Sequence, residues 1–461
     1  MIMKRKRIDA DLIIITGIAV SVILAYVLLH LRFVKEDVDD AWTLSFIYNM
    51  MVRHIDPSVT FGGGLASPHI FGMTQAYVYS FILNIAGWTK NNAHLISTFF
   101  MAASALSWYF ISRKLDFTVK SAVLFSLMIL WCDPFFREAN LARPESLTFF
   151  IITLSFLLFI YNKPFLSGLL TLIAFENHPM GLFALVFIAA YIVYSGGLKK
   201  IKILPAGLFL AGAAAGAVYF LLNHMAYMNE FYAGLKAASA TRTYTVLGYY
   251  FFQNKVSLHI IIFAFLVLCT AVFLWRKGWK NYPFALYILL LSILVNFINP
   301  RDNYHYMLYF YVSLLFTVFV CLEGTKWSRA APLALFLLVS VHYGYSWLHN
   351  GTFDFNKKIS MLKSSIPGGT TPVLGTPDDW FAFVGRDFYA STDTHEFDTN
   401  APALYNIEDD TFRNNYNDSG LRGSYNEYLK KNYTSDPVTT FTVNGELYNI
   451  TLLNKKPVTT K

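Results

Sequence analysis

Apolar residues gather in runs of up to about 20 positions, split by short polar breaks, from residue 11 to residue 348. Twenty apolar residues in a helix match the thickness of a bilayer's hydrocarbon core. The pattern predicts segments at 11–31, 70–88, 93–112, 119–134, 143–161, 164–176, 179–195, 203–222, 257–275, 282–298, 304–322 and 330–348. It therefore predicts a mainly α protein, a polytopic transmembrane helical bundle of about 11–12 hydrophobic segments. The first run follows "KRKR" and is too long for a signal-peptide core, so it reads as a retained helix.

After residue 349 the pattern changes. Asp, Asn, Thr, Tyr and Gly replace the apolar runs, and "TTFTVNGELYNITLL" alternates about a central Asn-Gly. That signature predicts a β-hairpin with a tight turn. The expected division is a transmembrane domain over 1–349, with a first outer loop at 32–69, and a soluble extracytoplasmic α+β domain over 350–461.

Composition supports the membrane reading. Hydrophobic residues make up 55% and charged residues 14%, against roughly 25% charged in soluble domains. The net charge of +8 is uneven. Residues 350–461 hold 11 basic and 14 acidic side chains, so residues 1–349 carry the whole positive excess. The basic loops near Arg113, Lys199, Arg276 and Lys326 and the basic N-terminus are placed inside. That explains the charge without a nucleic acid. Twelve crossings would return the C-terminus to the inside. Either 70–88 or its neighbour stops short of crossing, or the Arg113 loop lies outside. The three cysteines sit in apolar runs and imply no disulfide framework.

Unusual polar groups cluster in the loops placed outside. "EDVDDAW" supplies Glu36, Asp37, Asp39 and Asp40 directly after the first run. Carboxylates there cap the next helix, or one serves as a general base with an acidic neighbour. "REANLARPESL" contains Arg143, Pro144 and Glu145. Proline suits a first helical turn; Arg143 is either the partner of Glu145 or a ligand for phosphate oxygens. "ENHPMG" brings Glu176 and His178 to a break between two apolar segments, and "NPRDNYHY" brings Arg301 and His305. Arg242 in "ATRTYT" is a further anion-binding candidate. Several ionisable groups at one membrane edge suggest a polar cavity there. No Walker loop, dinucleotide fingerprint or zinc-type Cys/His spacing occurs.

"VDDAWTLSFIYNMM", followed by "ASPHIFGMTQAYVYSFI", "LARPESL" and "AFENHPMGL", resembles the GT-C superfamily of integral-membrane glycosyltransferases, such as the protein O-mannosyltransferases and the lipid A aminoarabinose transferase. The resemblance covers about residues 8–348. It implies transfer of a sugar from a polyprenyl-phosphate-linked donor to a lipid, glycan or protein acceptor on the extracytoplasmic face of the bacterial inner membrane. Asp39 aligns with the first acid of the family's pair, the usual general base, and Asp40 with the second. A one-step shift to Asp37 stays open, as does a divalent cation at Asp39 and Asp40. Arg143, Arg301 and Arg242 are expected to face the leaving phosphate. Glu145, His178 and His305 are expected beside the donor. The rival readings are a polytopic transporter or lipid-linked saccharide flippase, and a non-catalytic envelope scaffold.

Overall fold

The computed structural model describes residues 38–54, 72–194, 203–229, 304–322, 354–390, 401–409, 428–443 and 445–457, with helical positions at 16, 17, 20, 24 and 232. The segments expected at 257–275, 282–298 and 330–348, and most of 11–31, lie outside these residues. The helices, in chain order, are α1 (Val38–Met51), α2 (Met73–Ala86), α3 (Lys90–Lys114), α4 (Val119–Trp131), α5 (Asp133–Ala139), α6 (Pro144–Ile160), α7 (Pro164–Asn177), α8 (Phe183–Tyr194), α9 (Ile203–His224), α10 (Met307–Leu322) and α11 (Phe355–Ser365). Short 3-10 turns cover Pro179–Leu182, Tyr304–Tyr306 and Pro377–Ala382.

Local chemistry sets the helix ends. Thr89 caps α3 by accepting the Asn92 N–H at 3.2 Å. Thr118 caps α4 through the Ser121 N–H at 3.3 Å. Pro144 and Pro164 open α6 and α7, where a missing N–H does no harm. Asn162, in the left-handed region at φ 60°, turns the chain between those two helices.

Two helices among the described residues are long and apolar enough to cross a membrane, α3 and the Leu204–His224 part of α9. The 25 residues of α3 reach about 37 Å, past a hydrocarbon core of about 30 Å. The 14 residues of α2 reach only about 21 Å, so the segment expected over 70–88 forms a helix that falls short of that thickness. Large apolar side chains stay exposed on these elements, including Phe81, Ile85, Phe99, Leu204 and Leu222.

The core centres on Trp108 of α3. Phe125 of α4, Phe156 of α6, Phe187 of α8 and Phe316 of α10 place their rings 5.2–6.0 Å from it. Such edge-on and tilted contacts lock five helices around one ring. Helices α7 and α9 approach through small residues. A Cβ on Gly168 would lie 2.0 Å from the Phe209 carbonyl, and one on Gly212 would lie 1.9 Å from that of Phe165. Gly212 and Gly216 form a small-xxx-small face, a common device for close helix contact in lipid.

Beyond α11, whose N-cap Asp354 accepts the Lys357 N–H at 2.9 Å, the chain builds one five-stranded sheet. Its strands are β1 (Val373–Gly375), β2 (Phe388–Ala390), β3 (Ala403–Asp409), β4 (Tyr433–Val443) and β5 (Glu446–Lys455), in the order β2-β1-β3-β5-β4. β1 runs parallel to β2 and β3, and β5 runs antiparallel to β3 and β4. The hairpin expected at Asn-Gly is present as β4–β5, with Val443 opposite Glu446 and Gly445 at φ 83°. Pro437 sits at an irregularity in edge strand β4, where no partner needs its N–H. This unit rests on α1: the Tyr48 ring, 4.9 Å from Trp88 of the bundle, meets Trp380 of the unit at 6.1 Å.

Candidate active site

The site forms where the start of α1 meets the non-helical link between α5 and α6. Backbone without a helical ladder must find partners inside a protein, and here it does. Ser146 donates to the Glu138 carbonyl at 2.6 Å, Thr98 to Ala139 at 3.1 Å, and Ser97 to Leu141 at 2.5 Å. Gln75 donates to Ala142 at 3.1 Å, and Asn177 to Pro144 at 3.2 Å. Five side chains from α2, α3, α6 and α7 thus fix a short stretch of chain. Arg143 stands in the middle of it.

Arg143 is clamped on one edge. Its Nε and Nη2 donate to the two oxygens of Glu145 at 3.2 and 3.0 Å. Its Nη1 reaches the Asp39 carboxylate. Glu145 is fully buried, whereas the Asp39 side chain is 47% exposed. A guanidinium held by two bonds on one edge presents the other in a fixed direction. The geometry shows the local Arg143–Glu145 pair, with the guanidinium's other edge facing Asp39.

Asp39 and Asp40 part company. Adjacent helical positions lie about 100° apart around the axis, and Asp40 is wholly buried. It accepts from His94 Nε2 at 2.7 Å and from the Ala142 N–H at 2.6 Å, and pairs with Lys90 at 3.4 Å. Burial alone would raise its pKa, but His94 and Lys90 outweigh burial and hold the carboxyl below its usual range. Asp39 and Asp40 are thus one half-exposed acid and one buried tie. The two carboxylates do not fit a divalent cation together, because each already faces a cationic or N–H partner of its own. Among the described residues, no group of three His, Cys, Asp or Glu is placed to hold a metal ion.

The histidines divide as well. His178 is buried, and its Nδ1 accepts the Met180 N–H at 3.1 Å, so it caps the 3-10 turn at Pro179. Its ring lies 5.0 Å from that of Tyr306. His305 Nδ1 meets Glu138 Oε1 at 2.6 Å. Both histidines are within electrostatic reach of Glu145. Burial pushes the Glu138 carboxyl above its ordinary value despite His305. Glu176, at the same break as His178, faces elsewhere. It accepts the N–H groups of Met73 and Thr74 at 2.6 and 3.1 Å, and His224 Nε2 approaches it at 3.0 Å. A carboxylate at the N-terminus of α2 is a structural cap. Arg301 and Arg242 lie outside the described residues.

Three charged or ionisable groups in or beside this cluster, Lys90, His94 and Glu138, were not singled out from the sequence. Lys90 and His94 sit one turn apart at the start of an apolar helix, a spacing that could have drawn attention.

No family model matches the chain, and no curated protein matches it. Among solved structures, ArnT from Cupriavidus metallidurans in the apo state superposes with a TM-score of 0.64 over 96% of this chain and 98% of that one, at 9% identity. That likeness is one of fold, and it extends over nearly the whole length of both chains.

Proposed function

We propose that the protein is a membrane glycosyltransferase that moves a sugar from a polyprenyl-phosphate-linked donor to an acceptor on the extracytoplasmic face. The observation that carries this reading is the Asp39–Arg143–Glu145 triad, a half-exposed carboxylate against a buried, clamped guanidinium. The fold shared with ArnT over 96% of the chain supports it.

The residues suit the steps. Asp39 accepts the proton of an acceptor hydroxyl or amine. That nucleophile forms a bond to the anomeric carbon while the bond from that carbon to the lipid-phosphate oxygen breaks, inverting the centre. Negative charge grows on the departing phosphate, and Arg143 stands fixed beside it with no reorganisation needed. Glu145 aims the guanidinium rather than touching the donor. Glu138 holds His305 in place beside the clamp through its Nδ1 at 2.6 Å.

The test is label transfer from polyprenyl-phosphate sugars in membranes carrying the wild type or Asp39→Asn. Transfer by the wild type and its loss in the variant support the reading. Transfer that survives the substitution removes Asp39 as the base. Transmembrane movement of labelled lipid without transfer favours the flippase.

A further inference from the structure

We infer that Asp378, on the unit that follows the helical bundle, is a positioning residue for Asp39 and Arg143, acting through Lys90 and Asp40. The inference rests on the glycosyl-transfer reading.

Lys90 is almost wholly buried at the first position of α3. Its ammonium lies between two carboxylates from distant parts of the chain, Asp378 at 2.8 Å and Asp40 at 3.4 Å. The rings of Phe355 and Phe381 cover it at 4.8 and 5.9 Å. An ammonium taken out of water must be balanced by charge and by aromatic faces, and the C-terminal unit supplies one carboxylate and both of these rings.

The neighbouring acid shows that this is more than cohesion of the unit. Asp379, on the same 3-10 turn, pairs with Lys358 at 2.9 Å and accepts the Thr376 N–H at 2.9 Å. It ties its own unit together. Asp378 reaches out of the unit into the bundle. From Lys90 the connection passes to Asp40, which also holds His94 and the Ala142 N–H. Asp39 precedes Asp40 and Arg143 follows Ala142, so both halves of the candidate catalytic pair hang from the carboxylate that Lys90 touches.

Removing the charge of Asp378 takes one of the two carboxylates from Lys90 and shifts its charge toward Asp40, in competition with His94. The start of α1 and the link at 142–143 then shift relative to one another. A displacement of about 1 Å at a reacting group can lower a rate ~100-fold.

The experiment compares Asp378→Asn, Asp378→Glu and Asp387→Ala in the full-length protein in membranes. Asp387 bridges the same unit to Arg53 of the loop after α1 at 2.7 Å, on a partly exposed surface away from Asp40. Transfer from a polyprenyl-phosphate sugar should lose about 10–100-fold in kcat in Asp378→Asn with little change in donor KM. Asp378→Glu should recover most of it, and Asp387→Ala should retain it. Equal losses in Asp378→Asn and Asp387→Ala, or wild-type kcat in Asp378→Asn, overturn the inference. A second arm needs no activity. In an Asp39→Cys background, Asp378→Asn should change the labelling rate by a polar thiol reagent severalfold; an unchanged rate also overturns it. Absence of transfer in the wild type refutes the glycosyl-transfer reading and leaves this arm to judge the coupling.

Discussion

Replacing each of the two adjacent aspartates by asparagine separates chemistry from architecture. Asp40 is wholly buried and meets Lys90, His94 and the Ala142 N–H. Asparagine keeps the shape, and its amide oxygen still accepts from Ala142. It cannot neutralise Lys90, and its NH2 group faces His94. Removing one partner of a buried charge pair costs about 3–5 kcal/mol. The surviving Ala142 bond and the remaining Asp378 carboxylate place Asp40→Asn at the lower end, about 3 kcal/mol. At ~2 °C per kcal/mol for larger domains, the thermal midpoint in detergent falls by roughly 6 °C. Asp39 is half exposed and faces Arg143, and such a pair contributes at most about 1 kcal/mol. Asp39→Asn should therefore unfold within ~2 °C of the wild type while losing about 10²–10⁴ in transfer rate. Thermal unfolding in detergent and labelled-donor transfer are measured on the same preparations. A fully stable Asp40→Asn that is nonetheless inactive, or an Asp39→Asn as destabilised as Asp40→Asn, refutes the division drawn between the two acids.

Arg143→Lys keeps the charge but cannot bond both Glu145 oxygens and Asp39 at once. Losing about two charge-assisted hydrogen bonds, each ~1.5–3 kcal/mol, should lower transfer by at least about 100-fold, and a rate within threefold of wild type contradicts the clamp. Because the Asp40 carboxyl is held below its usual range, its contribution to stability is complete above the unfolded carboxylate pKa, near 4. It is lost as pH falls through the lower folded value. Acid-induced unfolding should accordingly steepen below about pH 4 in the wild type and less so in Asp40→Asn, as followed by intrinsic fluorescence. Gly212→Ala places a methyl group against the Phe165 carbonyl and should cost about 1–3 kcal/mol through separation of α7 and α9, read as a lower thermal midpoint. Glu138→Gln should weaken transfer and shift its pH profile by releasing His305; an unchanged profile removes the pair from the proposed chemistry.

The sequence by itself determined several of the apolar helices and the grouping of polar segments, though not α1 or α5. Apolar run length and helix-opening prolines are local properties, so α3, α4, α6, α8 and α9 appear close to where periodicity puts them. Asn-Gly placed the β4–β5 turn for the same reason. The polar loops also drew attention to Asp39, Arg143 and Glu145, which the fold brings together. What only the tertiary structure decided was which acid faces solvent and which is consumed in packing. Asp39 and Asp40 look alike in sequence, because burial depends on what α3 and the 142–143 link place against the helix. That Glu176 accepts at the start of α2 and that His178 Nδ1 caps the 3-10 turn was also decided only by packing. Lys90 reads as the polar start of an apolar helix, and its role needs Asp378, 288 residues further along the chain. Charge pairing across such separations leaves no periodic trace, since it is fixed by which surfaces the hydrophobic core presses together rather than by neighbours in the chain.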